Sequence, residues 1–109
     1  MFQLDGVNQS ATKDGVWTDF SSGKFLIAHT SNLAFQREFS RLQQPYIKQI
    51  ERNRMDPEVS LDIMCKAMSK HILLDWKHVG AKGQEIEYSH ENAFKALKGN
   101  PELREFVQD

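Results

Sequence analysis

One stretch limits the folds open to this chain more than any other. Leu73-Leu74-Asp75-Trp76 is followed by a spacer broken by Gly80 and Gly83, and then by Ile86-Glu87-Tyr88-Ser89-His90-Glu91-Asn92-Ala93. It reads as the end of one helix, a tight loop and the start of another. The first helix begins at Asp56-Pro57-Glu58: Asp56 can cap, Pro57 fits the first helical position, and Glu58 suits the positive end of the helix dipole. Its apolar stripe is Leu61, Met64, Cys65, Met68 and Ile72, widened by Val59, Ile63 and Ala67. So broad a surface belongs at the centre of a core, and the helix is expected to run to about Leu74. After the loop, where Val79 to Gln84 is expected to pinch into a small hairpin, Ser89 caps a helix through Leu97 and Gly99 closes it. Asn100-Pro101-Glu102 then opens a last turn or two carrying Leu103, Phe106 and Val107.

The front of the chain is of another kind. Val16-Trp17-Thr18-Asp19-Phe20 and Lys24-Phe25-Leu26-Ile27-Ala28-His29 are rich in β-branched and aromatic residues, and the turn cluster Ser21-Ser22-Gly23 lies between them. That is a hairpin signal. A lone hairpin is marginal in water, so Trp17, Phe20, Phe25 and Ile27 are expected to pack it onto helices. Thr30-Ser31-Asn32 offers N-caps, and Phe35, Phe39, Leu42, Tyr46 and Ile50 recur on one helical face. Pro45 removes a backbone donor and clashes with the carbonyl four residues back, which predicts a kink near 41–45 or two helices sharing the stripe. The expected class is α+β, mostly helical, with an N-terminal β-hairpin packed on about four helices. Residues 1–14 read as a flexible arm, with at most a short strand around Phe2 to Leu4, and 15–109 as a single mostly helical domain.

Composition narrows function by exclusion. A net charge of −1 argues against a dedicated nucleic-acid binder, although Lys48, Arg52 and Arg54 give the kinked helix a basic end. Residues 1–55 hold seven Lys/Arg and five Asp/Glu, and 56–109 hold seven and ten, a mild asymmetry that could help head-to-tail self-association. No apolar run approaches the roughly 20 residues of a membrane span, and no signal peptide is read at Met1 to Asp5. The lone Cys65 lies on an apolar stripe and reads as core. His71 and Asp75 are spaced to touch on a helix, which reads as a local surface hydrogen bond. His29, His71, His78 and His90 lack metal-ligand spacing. Trp76 reads as a lid over the core in preference to an interface residue. No catalytic, cofactor-binding or metal-binding residue is assigned.

The ordered motifs carry more. Gly15-Val16-Trp17 with Phe20 precedes Gly23-Lys24-Phe25-Leu26-Ile27-Ala28, then Asn32 with Phe35-Gln36, then Pro45-Tyr46-Ile47 with Gln49-Ile50. Leu73-Leu74-Asp75-Trp76 with Val79, Tyr88-Ser89 with Glu91-Asn92-Ala93, and Asn100 through Val107 complete the series. Over about residues 15–108 this resembles the tail assembly chaperones of long-tailed, lambda-like bacteriophages. The resemblance implies a non-enzymatic protein of the host bacterial cytoplasm that is absent from the mature virion and needs no cofactor. It implies that the protein coats and solubilises the tape measure protein, helps recruit tail tube subunits, and self-associates; nucleic acid and membrane are not among the implied partners. It also implies that a programmed frameshift extends a fraction of copies. The alternative reading is a small non-enzymatic adaptor or regulator that binds one folded partner. The candidate partner-binding residues are Phe35, Phe39, Tyr46, Trp76, Leu103 and Phe106, with either the Phe35-to-Ile50 stripe or the Leu103-Phe106-Val107 patch contacting self or client.

Overall fold

The computed structural model describes residues 14–81 and 83–108. Apart from Asp14, the arm expected over 1–14 lies outside the described residues, as does the strand expected around Phe2 to Leu4. The expected hairpin forms: β1 (Val16–Phe20) pairs antiparallel with β2 (Gly23–Ile27), with Val16 opposite Ile27 and Phe20 opposite Gly23, but Trp17 does not pack onto a helix as expected and is exposed, with Lys77 over its ring. Ser21 and Ser22 make the connection at φ values of 48° and 72°. Positive φ at both central residues gives the turn a twist that matches the strands.

The helical caps also follow the sequence. Asn32 caps α1 (Leu33–Gln43), its Oδ1 accepting from the Phe35 N–H at 2.8 Å. Pro45 sits in a single 3-10 turn (Gln44–Tyr46), which breaks the helix before a short α2 (Ile47–Glu51). Asp56 caps α3 (Pro57–His71) by accepting from the Glu58 N–H at 2.9 Å. Ser89 caps α4 (His90–Gly99) by accepting from the Asn92 N–H at 3.0 Å, and α5 (Pro101–Gln108) ends the described chain.

The segment that opens the sequence argument departs from its reading. α3 stops at His71, and Leu73–Lys77 is a strand, β3, antiparallel to β2 with Phe25 opposite Trp76. The expected hairpin is therefore two strands of a three-stranded sheet of order β1-β2-β3. The switch comes from distant pairing: the Ala28 N–H, just after β2, donates to the Ile72 carbonyl at 2.8 Å, so the chain leaving α3 is captured by a strand far back in the sequence. β4 (Gly80–Ala81) and β5 (Gln84–Glu85) form the small hairpin expected in the loop.

α3 is the central element, with α1 on one flank and α4 on another. Cys65, Ala67, Met68 and Ile72 are fully buried, together with Leu73, Ala93 and Leu97. Each of the larger aliphatic side chains contributes about 1.5–3 kcal/mol by leaving water. Asn32 fastens the α1 flank: its Nδ2 donates to the His71 carbonyl at 3.0 Å and to the His29 carbonyl at 3.1 Å. Arg104 joins α5 to the end of α4, donating to the Leu97 and Lys98 carbonyls at 2.8 Å each. Among the described residues, no helix is long and apolar enough to cross a membrane.

Candidate functional site

The six candidate residues fall into three places. Phe35 is buried and stacks on half-buried Phe39, with ring centroids 5.9 Å apart, so this front part of the stripe is spent on the α1–α3 contact. Trp76 is 6% exposed and Leu103 is 7% exposed. Both are core residues whose edges line a surface groove. Phe106 is half-buried and stacks on Phe20 at 4.5 Å, edge-on to Phe25 at 6.4 Å, which attaches α5 to the sheet. Of the six, Tyr46 alone lies outside the core and its packed rim.

The groove has a volume of about 590 Å³ and lies between the turn end of the sheet, the β4–β5 hairpin and the α4–α5 corner. That size suits ligand or side-chain binding. Its apolar lining includes Phe20, Phe25, Trp76, Ile86 and Leu103. The Trp76 indole N–H donates to the Ile86 carbonyl at 2.8 Å, which fixes the ring as the wall of the groove. Behind it Tyr88 meets Trp76 edge-on at 5.4 Å and donates its hydroxyl proton to the Leu73 carbonyl at 2.6 Å. Burial, reinforced by the charge of Asp75, pushes the Tyr88 phenol up to about 12. Lys95 and Glu102 stand on the rim, and Lys95 pairs with Glu91 at 3.3 Å.

A second apolar surface begins at Pro45. Tyr46 and Ile50 continue the stripe of α1, yet among the described residues neither they nor Ile47 pack against the core. Ile47 is 42% exposed. Sequence reasoning missed Ile47 because it lies off the Phe35-to-Ile50 spacing. It missed the groove because several elements from distant parts of the chain build it. The aromatic content of the hairpin was the available signal for Phe20 and Phe25.

The histidine and cysteine chemistry resolves into structural contacts. Because β3 replaces the end of the helix, His71 and Asp75 lose the helical spacing that would join them. His71 Nε2 lies 3.9 Å from Glu38, while Asp75 accepts from the Trp76 N–H at 2.8 Å. His29 Nδ1 sits 2.8 Å from the Ser31 hydroxyl. Cys65 is fully buried, and burial pushes its thiol up, away from the thiolate form that reacts. Among the described residues, no group of three or more His, Cys, Asp or Glu is placed to hold a metal.

Comparison with known proteins gives a family match. The model of a family described as YdaY prophage protein matches residues 29–109, which takes in α1 through α5 and leaves β1 and β2 outside. No curated protein matches, and no solved structure matches.

Proposed function

The chain belongs to the YdaY prophage protein family and is phage-derived; from that premise we propose that it is a tail assembly chaperone, which binds and solubilises the tape measure protein and helps recruit tail tube subunits. One observation carries the reading. The fold leaves apolar surface open to solvent in several places, among them the mouth of the groove beside Trp76 and Leu103, Ile47 on the kinked helix, and Val16, Trp17 and Leu33. A holdase needs such surface while remaining soluble. The ordered motifs from Gly15 to Val107, with their resemblance to lambda-like tail chaperones, name the client. In this reading the protein breaks no covalent bond, works in the host cytoplasm and leaves before the virion is complete. Many weak copies spread along one extended client gain avidity from multivalency.

Co-expression with the tape measure protein of the same prophage tests the proposal. The expected result is a soluble client that co-purifies with many copies of this chain. Saturation near one copy per partner favours the adaptor reading instead. A client that stays insoluble, with no chain bound, overturns the proposal.

A further inference from the structure

We infer that the outer face of α1, carried on through α2 and flanked by α3, is a docking surface for an acidic, amphipathic segment of a partner polypeptide. Three observations converge on it. First, positive charge is concentrated here. Arg37, Arg41, Lys48, Arg52 and Arg54 lie on or just after α1 and α2, and Lys66 and Lys70 lie one turn apart on α3, where Lys70 reaches Glu38 of α1. All seven are exposed. They are half of the 14 Lys and Arg in the chain, set against Glu38 and Glu51, while the rest of the sequence holds seven cations and thirteen acids. The nearby acids of α3 are engaged elsewhere: Asp56 caps the helix, and Glu58 and Asp62 hold Lys98 of α4. Second, the positive charge is largely unspent. Arg41 and Lys70 share Glu38, and among the described residues Arg37, Lys48, Arg52, Arg54 and Lys66 make no ion pair. Third, the face has a shape and apolar footholds. Leu33, Gln36, Arg37, Ser40, Arg41 and Gln44 line a shallow cleft of about 370 Å³. Leu33, at its start, is 63% exposed, and Ile47, beyond its end, is 42% exposed.

These features select the occupant. Seven cations against two acids draw in and orient an acidic chain. The exposed apolar side chains at Leu33 and Ile47 call for an apolar strip beside the acids, which an amphipathic segment supplies and a sugar-phosphate backbone does not. The excess of acids over the rest of the chain repels a long polyanion. Tyr46 is half-buried, and the face offers no row of aromatic side chains on which bases could stack. The face acts on any segment of this chemistry, so its test is separate from that of the chaperone reading.

Fluorescence anisotropy on the whole chain tests this with three labelled probes. They are a helical peptide with a glutamate face and a leucine face, the same peptide with lysine in place of glutamate, and a single-stranded oligonucleotide of equal length and charge. The acidic peptide should bind, and more weakly as added salt screens the charges; the other two should not. Arg37→Glu combined with Lys48→Glu should weaken binding roughly tenfold or more, since each reversal replaces an attraction by a repulsion. Leu33→Ser should weaken it roughly fivefold, as loss of a partly covered leucine contact does. Lys24→Glu combined with Lys77→Glu changes the net charge equally, on the sheet instead, and should leave affinity within about twofold. All five positions are exposed, so circular dichroism is expected to match the wild type. Failure of the acidic peptide to bind, equal binding of the oligonucleotide, or an equal loss from the sheet reversals overturns the inference. Oligomers of the wild type that exclude the peptide count as such a failure and assign the face to a second copy.

Discussion

Up to Pro45 the amphipathic stripe ends in the core; beyond it, the same spacing carries side chains outside it. Phe35, Phe39 and Leu42 pack against the core, while Tyr46 and Ile50, at equivalent spacing, do not. The front half is also pinned by polar contacts. Asn32 ties its start to the end of α3, and Glu38 accepts from Arg41 and lies 3.7 Å from Lys70 of α3. No comparable tie holds α2 among the described residues. The contrast teaches that periodicity specifies a face and leaves its partner open. A proline that lacks a donor and crowds the preceding carbonyl is enough to turn the second half off the line of the first.

The largest expected effect separates the halves directly. Phe35→Ala should destabilise the domain by about 3–5 kcal/mol, as truncation of a buried Phe does. Ile47→Ala should stay within about 0.5 kcal/mol, as for an exposed site. Urea midpoints at constant m-value measure both, and equal losses would erase the distinction drawn here.

Tyr88 probes the packed side of the contrast. Tyr88→Phe removes the hydrogen bond to Leu73 and should cost about 1–2 kcal/mol. The folded state holds the Tyr88 proton more tightly than the unfolded chain does. The contribution of that proton is therefore complete below the ordinary tyrosine range and is lost as pH climbs towards about 12. A urea series across alkaline pH should show this decline in the wild type and a shallower one in Tyr88→Phe.

Pro45→Ala attacks the boundary itself. The helix should become continuous, with a stronger helical dichroism signal and a stability change within about 1 kcal/mol. An unchanged spectrum would show that the proline does not divide the stripe.

The smallest effect concerns Glu38. The hydrogen bond from Arg41, helped by Lys70 and His71, holds its carboxyl below the usual range. That stability is present above the ordinary glutamate range and fades as pH falls through that range and below it. Since Arg41 is well exposed and solvent screens the pair, Glu38→Gln should cost under about 1 kcal/mol. Thermal melts at neutral and acidic pH should converge for variant and wild type at the acidic end.

Much of the fold was legible because its signals are local. Asn32, Asp56 and Ser89 each cap the helix their side chains announce, Pro45 breaks the stripe where its ring must, and the aromatic hairpin closes at Ser21–Ser22. What misled was Leu73–Lys77. Ile72, Leu73 and Leu74 prolong the apolar pattern of α3, so local reading extends the helix, while the deciding bonds come from β2, far back in the sequence. Trp76 was placed correctly as a core lid, but its service as a groove wall depends on Ile86, Phe25 and Leu103 meeting around it. Ile47 left no periodic trace at all. Surfaces assembled from distant elements have no signature in spacing, whereas caps and breaks do.

The burial of Cys65 has a practical consequence. With the lone thiol enclosed at the heart of α3, a bulky thiol reagent has to wait for the whole domain to open. Labelling kinetics thus become an intrinsic clock for global unfolding, one that can be read inside a crude mixture and needs no engineered probe.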